Sequence, residues 1–228
     1  VVSYVGGLDI VTGITTYGSL MIFINGIPQM IKHEDKESLV YTFKGKKDTT
    51  KTEHVSIMPN TGSKGDHLYM HAFLIADYEI VDSLKQLTNK QHMMACGTTF
   101  IDIHQDTANN PIDLNNNYDL IDYTSDLLKH DDEEGYFDNN LLIQFPNNLE
   151  GNFKKNKPIT IKMSGISDNY ILWVLEDLKP VSSYHIELPK NKSAVLSYKP
   201  GNKTKNVKAI AIPLSSNLPE ESTSLVVK

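Results

Sequence analysis

One stretch of this chain occurs twice in outline, and that constrains the fold more than any short motif does. TGITTYGSLMIFINGIP begins at Thr12 and SGISDNYILWVLEDLKP at Ser164. At a constant offset of 152, Gly13 falls on Gly165, Ile14 on Ile166, Leu20 on Leu172 and Pro28 on Pro180. Further along, SLVYTFK from Ser38 meets SAVLSYK from Ser193 at an offset of 155, and Pro59 meets Pro213 at 154. The matched positions are glycines, prolines and apolar strand residues, which are the positions a fold constrains. The period is far longer than the ~20–50 residues of solenoid repeats. It suits two tandem domains of one fold, and 228 residues provide for either one large or two small domains.

Alternation of apolar and polar residues, with turn formers between, reads as many short strands. Residues 2–11 form an opening strand. Ser19 to Ile24 is apolar throughout, as a strand covered on both faces would be. Asn25-Gly26 is a strong type I′ hairpin signal, because both residues tolerate positive φ. Pro28 lacks an N–H, which places the return strand (Ile27 to Ile31) at a sheet edge. Leu39 to Phe43, His54 to Met58 and His67 to Ile75 follow as strands, and Gly45 to Thr52 as a polar loop. In the second copy the strands fall near Ile159–Met163, Tyr170–Leu175, Tyr184–Leu188, Ala194–Tyr198, Val207–Ile212 and Ser224–Val227. There the turn pair matching Asn25-Gly26 reads as Glu176-Asp177, which predicts a different turn.

Between the copies the pattern changes. Ile80, Leu84 and Leu87 recur at helical spacing, and Ser83 with Gln86 reads as a capping box, so a short helix is expected near 83–95, ended by Gly97. Residues 105–118 are polar and Asn-rich. Leu120, Tyr123, Leu127 and Leu128 suggest a second helix with Asp119 as its N-cap. The expected fold is therefore mainly β: two tandem β-sandwich domains, jelly-roll or Ig-like, with one or two short helices around the linker. The expected division is a sandwich over 1–110, an Asn/Asp-rich linker over 111–140 and a second sandwich over 141–228. The second copy ends soon after the strand matching His67–Met70, so the protein is expected to continue beyond Lys228.

Charge narrows the function. The net charge is −6, and all 22 basic residues are lysine. Arginine supplies the planar fork that reads phosphates and guanine, so an acidic chain without it is a poor nucleic-acid binder. No apolar run reaches the ~20 residues of a membrane-spanning helix. Any signal or anchor would lie outside these residues. The single Cys96 excludes an intrachain disulfide and leaves the compartment open.

Four groups of residues are candidate sites. If strands 53–58 and 67–72 pair across the 59–66 turn, His54 faces His71, and His67 shares their face. Such a trio can hold zinc or copper; a plain polar sheet face is the simpler reading. Asp113, Asn115, Asn117 and Asp119 alternate as calcium-loop oxygens do, although Tyr118 and Thr124 stand where an EF-hand has Gly and Glu. His92, Met93, Met94 and Cys96 are soft ligands whose adjacency suits a core better than a metal. The acids Asp131, Asp132, Glu133, Glu134, Glu176 and Asp177 are sequence neighbours, which does not by itself give a glycosidase its opposed pair. No cofactor is expected beyond calcium or zinc at the first two places. The sequons at Asn191 and Asn202 are short enough to arise by chance.

No nucleophile, phosphate-loop or zinc-hydrolase signature occurs. The expected function is a non-enzymatic module, secreted or on the surface of a Gram-positive bacterium. It would bind a protein or glycan partner, with Tyr69, Tyr184 or Tyr198 as stacking residues, or form part of a surface assembly. Two other classes compete. One is a cell-envelope hydrolase using acids or a His-bound metal. The other is a structural component of a phage or mobile element.

Overall fold

A computed structural model of the chain describes residues 4–12, 17–44, 49–76, 80–86, 93–104, 106–107, 112–123 and 141–228. Among them every regular element is a strand. The contacts divide the chain into two units. Unit 1 comprises Val1–Ile80, Thr88–Asp113 and Ser216–Pro219; unit 2 comprises Val81–Leu87, Leu114–Ser215 and Glu220–Lys228.

Unit 1 contains β1 (Tyr4–Thr12), β2 (Tyr17–Ile24), β3 (Ile27–Pro28), β4 (Ile31–His33), β5 (Lys36–Ser38), β6 (Tyr41–Lys44), β7 (Thr49–Ile57), β8 (His67–Ala76) and β9 (Met93–Asp102). One sheet has the order β1-β7-β4-β5; the other has β3-β2-β8-β9, with β6 also on β2. All these pairs are antiparallel. Ile31, Val55 and Ile57 from the first sheet share a core with Leu20, Ile22, Ile24 and Met70 from the second. Two sheets around one apolar layer is the arrangement of a β-sandwich.

Unit 2 contains β10 (Asp119–Asp122), β11 (Leu142–Gln144), β12 (Asn152–Phe153), β13 (Ile159–Ser164), β14 (Asp168–Glu176), β15 (Lys179–Leu188), β16 (Lys192–Tyr198), β17 (Asn206–Pro213), β18 (Glu220–Glu221) and β19 (Leu225–Val227). Its sheets run β10-β16-β13-β11 and β12-β19-β17-β14-β15, with β18 on β17. Ile161, Met163 and Leu196 on one sheet meet Leu172, Val174, Ile186 and Ala209 on the other. The segment before β10 closes one side of this unit. Asn115 bridges Tyr184 on the edge strand β15, and β10 then pairs with β16 in the opposite sheet.

The first hairpin forms as its residues dictate. Asn25 and Gly26 have φ of 48° and 75°, and Pro28 sits on the edge strand β3. β2 is buried from Gly18 to Ile24, as its unbroken apolar run requires. The turn in unit 2 departs from expectation. It falls on Asp177-Leu178, with φ of 47° and 72°, and so resembles the first turn instead of differing from it. At the offset of 152, Asp177 and Leu178 are the residues that fall on Asn25 and Gly26. Asp177 holds the strained turn by accepting the amides of Lys205 (3.0 Å) and Asn206 (2.8 Å).

The later part of the sequence match does not hold. The YTFK part of SLVYTFK is β6 and pairs with β2, whereas SAVLSY lies on β16 and pairs with β13 in the other sheet. By pairing, β1 with β7 corresponds to β13 with β16, and β2 with β8 to β14 with β17. Unit 1 places β3 to β6 where unit 2 has the single strand β15, so one offset cannot carry through.

Neither expected helix is present among the described residues. Residues 83–86 make one turn, in which Gln86 N donates to Ser83 O (3.0 Å) and Asp82 N to the Gln86 side chain (2.8 Å). Residues 93–95, assigned to the same helix, belong to β9, where Met93 pairs with Ile75 and Ala95 with Leu74. Ile80 and Leu84 are exposed, so these two positions of the expected stripe bury no helix face. Asp119 opens strand β10 instead of capping a helix, and residues 87–92 and 124–140 lie outside the described residues. The polar loop expected over 45–52 gives way at Thr49, where β7 begins.

Candidate functional site

The exposed end of the β8–β9 pair carries the chemistry of unit 1. Cross-strand register sets His67 opposite Asp102 and Tyr69 opposite Phe100. Because side chains alternate along a strand, these four share one face. The rings of His67 and Phe100 stack with centroids 4.3 Å apart and planes 19° apart. Tyr69 leans on the other side of the cluster, 4.3 Å from Phe100 with a 39° tilt. Phe100 keeps 46% of its surface exposed, which for a phenylalanine in a strand is a large apolar area left to solvent.

Beside the rings a histidine meets a carboxylate. His67 Nδ1 lies 2.6 Å from Asp102 Oδ1, and both side chains are exposed. That hydrogen bond holds the Asp102 carboxyl below its usual value; burial opposes this, and the electrostatic influence of the neighbouring His67 and His104 imidazoles adds to it. The face therefore offers flat π surfaces next to a carboxylate.

The loop before β8 fixes the strand ends. Gly65 N donates to Ile103 O (2.7 Å) and Ile103 N to Asp66 O (2.9 Å). Lys64 N reaches the Asp106 carboxylate (2.9 Å), and Thr107 Oγ1 donates to Gly62 O (2.6 Å). Gly62 has φ of +101°, and a Cβ there would stand 2.8 Å from Leu68. The sequence PNTGSKGD is thus a built corner that aligns β8 with β9.

The three histidines expected to converge do not. β7 and β8 lie in different sheets, so the assumed hairpin between them does not exist. His54 is exposed on β7, opposite Gly7. His71 is fully buried on β8, with Nε2 3.2 Å from the Asn217 carbonyl oxygen. Only His67 belongs to the exposed face. Asp113, Asn115, Asn117 and Asp119 run along an extended segment. Asn115 spends its side-chain oxygen on the Asn117 amide (2.8 Å), and Asp119 pairs in register with Val195. Among the described residues no group of three His, Cys, Asp or Glu is placed to hold a metal.

The remaining candidates resolve into structure. Met93, Met94 and Cys96 lie on β9, and His92 lies outside the described residues, as do Asp131 to Glu134. Burial opposes the ionisation of Glu176, but hydrogen bonds from Thr204, Tyr198 and Gly201 outweigh it and hold the carboxyl below its usual value. Tyr198 donates to Glu176 at 2.6 Å and Gly201 N at 2.8 Å, so this acid clamps the 198–204 loop. Tyr184 is buried, which leaves Tyr69 as the one expected stacking residue on an open aromatic cluster. Phe100 and Asp102 were not singled out from sequence. Their partners lie more than 30 positions away, and only register unites them.

The chain matches no protein-family model and no curated protein. Among solved structures it aligns with the C-terminal domain of the AgI/II polypeptide BspA of Streptococcus agalactiae, over 99% of this chain and 91% of that one, at 10% identity and a TM-score of 0.22. A likeness at that score carries no argument about fold or function. Among the described residues no helix is long and apolar enough to cross a membrane.

Proposed function

We propose that this chain is a non-enzymatic binding module, exported to a bacterial cell surface, whose β8–β9 face engages a glycan. The observation that carries this is the exposed stack of His67, Phe100 and Tyr69 beside the Asp102 carboxylate. Sugar rings present C–H faces to aromatic rings and hydroxyls to carboxylates, so this face suits both sides of one ring. Its size favours a sugar over a protein: a stable protein interface buries about 800 Å² per partner, well beyond one ring cluster. Jelly-roll or Ig-like classification, and origin of the units by duplication, belong to the same proposal; matched strand pairings support the second.

The test is a glycan array on the full chain, followed by NMR titration with the best oligosaccharide. Saturable binding with shifts at Tyr69, Phe100 and Asp102 is expected. Phe100→Ala should weaken it about tenfold, the equivalent of about 1.4 kcal/mol, and leave the folded spectrum intact. Undiminished binding in that variant would remove the proposal, and cleavage of the oligosaccharide would replace it with the hydrolase reading.

A further inference from the structure

Unit 2 holds a cavity of about 510 Å³ under the turns that join β11 to β13. Its size lies in the range typical of small-molecule sites. Its charge is the unusual feature. Lys154, Lys157 and Lys228 line it against a single acid, Glu150, whose carboxylate lies 3.9 Å from Lys228 Nζ. That leaves two net positive charges around one concavity, in a protein whose overall charge is −6. The floor is apolar, formed by the buried Phe153 and Ile159.

The walls are ordered by hydrogen bonds. Asn148 N donates to Phe145 O (2.9 Å), Gly151 N to Asn148 O (2.8 Å) and Lys157 N to Lys154 O (3.2 Å). Asn147 and Asn148 brace the rim through Thr160 (2.9 Å) and the Asn152 carbonyl (2.7 Å). Lys228 is pinned by its backbone, with its N–H 2.8 Å from Phe153 O. Gly151 and Asn156 take positive φ to let the segment fold back on itself. The lysines therefore stand around a shaped hollow and not along a loose tail.

Lysine ammonium groups recognise phosphate as point charges. We propose that this cavity binds a small phosphate ester, its dianionic group held among Lys154, Lys157 and Lys228 and its organic part lying over Phe153. The site is independent of the glycan reading, which concerns residues of unit 1.

The probes are glycerol 3-phosphate, inorganic phosphate and glycerol, titrated into the full chain and followed by NMR. Glycerol 3-phosphate should shift amides in 146–158 and at Lys228, more strongly than inorganic phosphate does, with weakening as salt is raised. Glycerol alone should shift nothing there. Lys154→Gln with Lys157→Gln should weaken binding about tenfold or more while thermal unfolding stays unchanged, because both side chains are on the surface. No shift at millimolar ligand would overturn the proposal. So would equal shifts from glycerol, or shifts spread evenly over distant lysines such as Lys32 and Lys64.

Discussion

In each unit one long strand pairs antiparallel with the strand that opens the first hairpin: β8 with β2 in unit 1, β17 with β14 in unit 2. The two strands are used differently. β8 starts exposed at His67 and is buried at Met70, His71 and Phe73 to Ile75, and β9 beside it brings Phe100 and Asp102 to solvent. β17 is buried at all eight positions, with β18 and β19 completing the sheet around it. Its one charged residue, Lys208, is neutralised internally: Nζ lies 3.0 Å from Glu221 Oε2, with both side chains nearly inaccessible. Burial lowers the Lys208 pKa against the pull of Glu221, and burial raises that of Glu220. The exposed aromatic face lies where a strand leaves the core, whereas the Lys208–Glu221 pair lies inside it.

The largest expected effect breaks that contrast at Lys208. Lys208→Ala withdraws the cation from a buried carboxylate and should cost about 3–5 kcal/mol, read from urea unfolding of the full chain. Lys208→Met combined with Glu221→Leu should recover most of the loss, since an apolar pair of similar volume replaces both charges. If the single variant unfolds with the parent, Lys208 is not the buried charge that the geometry describes.

The two hairpin turns give smaller effects of opposite sign. Gly26 and Leu178 occupy the same left-handed position, with φ of 75° and 72°. Gly26→Ala forces a Cβ into that region and should cost about 1–2 kcal/mol. Leu178→Gly relieves the same strain and should stabilise unit 2 by about 0.5–1 kcal/mol, the entropy of glycine offsetting part of the gain. Equal and small changes in both would show that Asp177 alone sets the second turn.

The smallest effect is on a slope. The Glu176 carboxyl is held below its ordinary value of 4.5. A depressed carboxylate contributes stability above the unfolded-state pKa and loses it as pH falls through the folded-state value. The stability gap between the parent and Glu176→Gln should therefore be widest at neutral pH and narrow below 4.5. Glu220, whose shift runs the other way, is common to both proteins and cancels in the difference. A gap that does not change with pH would mean that the Glu176 clamp works without its charge.

Much of the strand map is legible in the sequence. The six strands expected in the second half coincide with β13 to β17 and β19, and the burial of β2 follows from its composition. These succeed because alternation is a property of local backbone geometry, and a residue's face is set by its immediate neighbours. The Asn25-Gly26 turn and the edge position of Pro28 are local in the same sense.

The errors share a different cause. The run Met93 to Ala95 has good helical propensity, but β8 offers it a row of backbone partners, and pairing overrides a propensity worth tenths of a kcal/mol. The loop over 59–66 looked like a hairpin turn, yet it crosses from one sheet to the other, which separates His54 from His71. The aromatic face needed His67 and Asp102, 35 positions apart, to meet across two strands. The sequence by itself determined most strands of the second half and where the first chain reversal falls. Tertiary structure alone decided which strands pair, and therefore which side chains stand together, because pairing is chosen by burial of a shared core over long separations that no local pattern encodes.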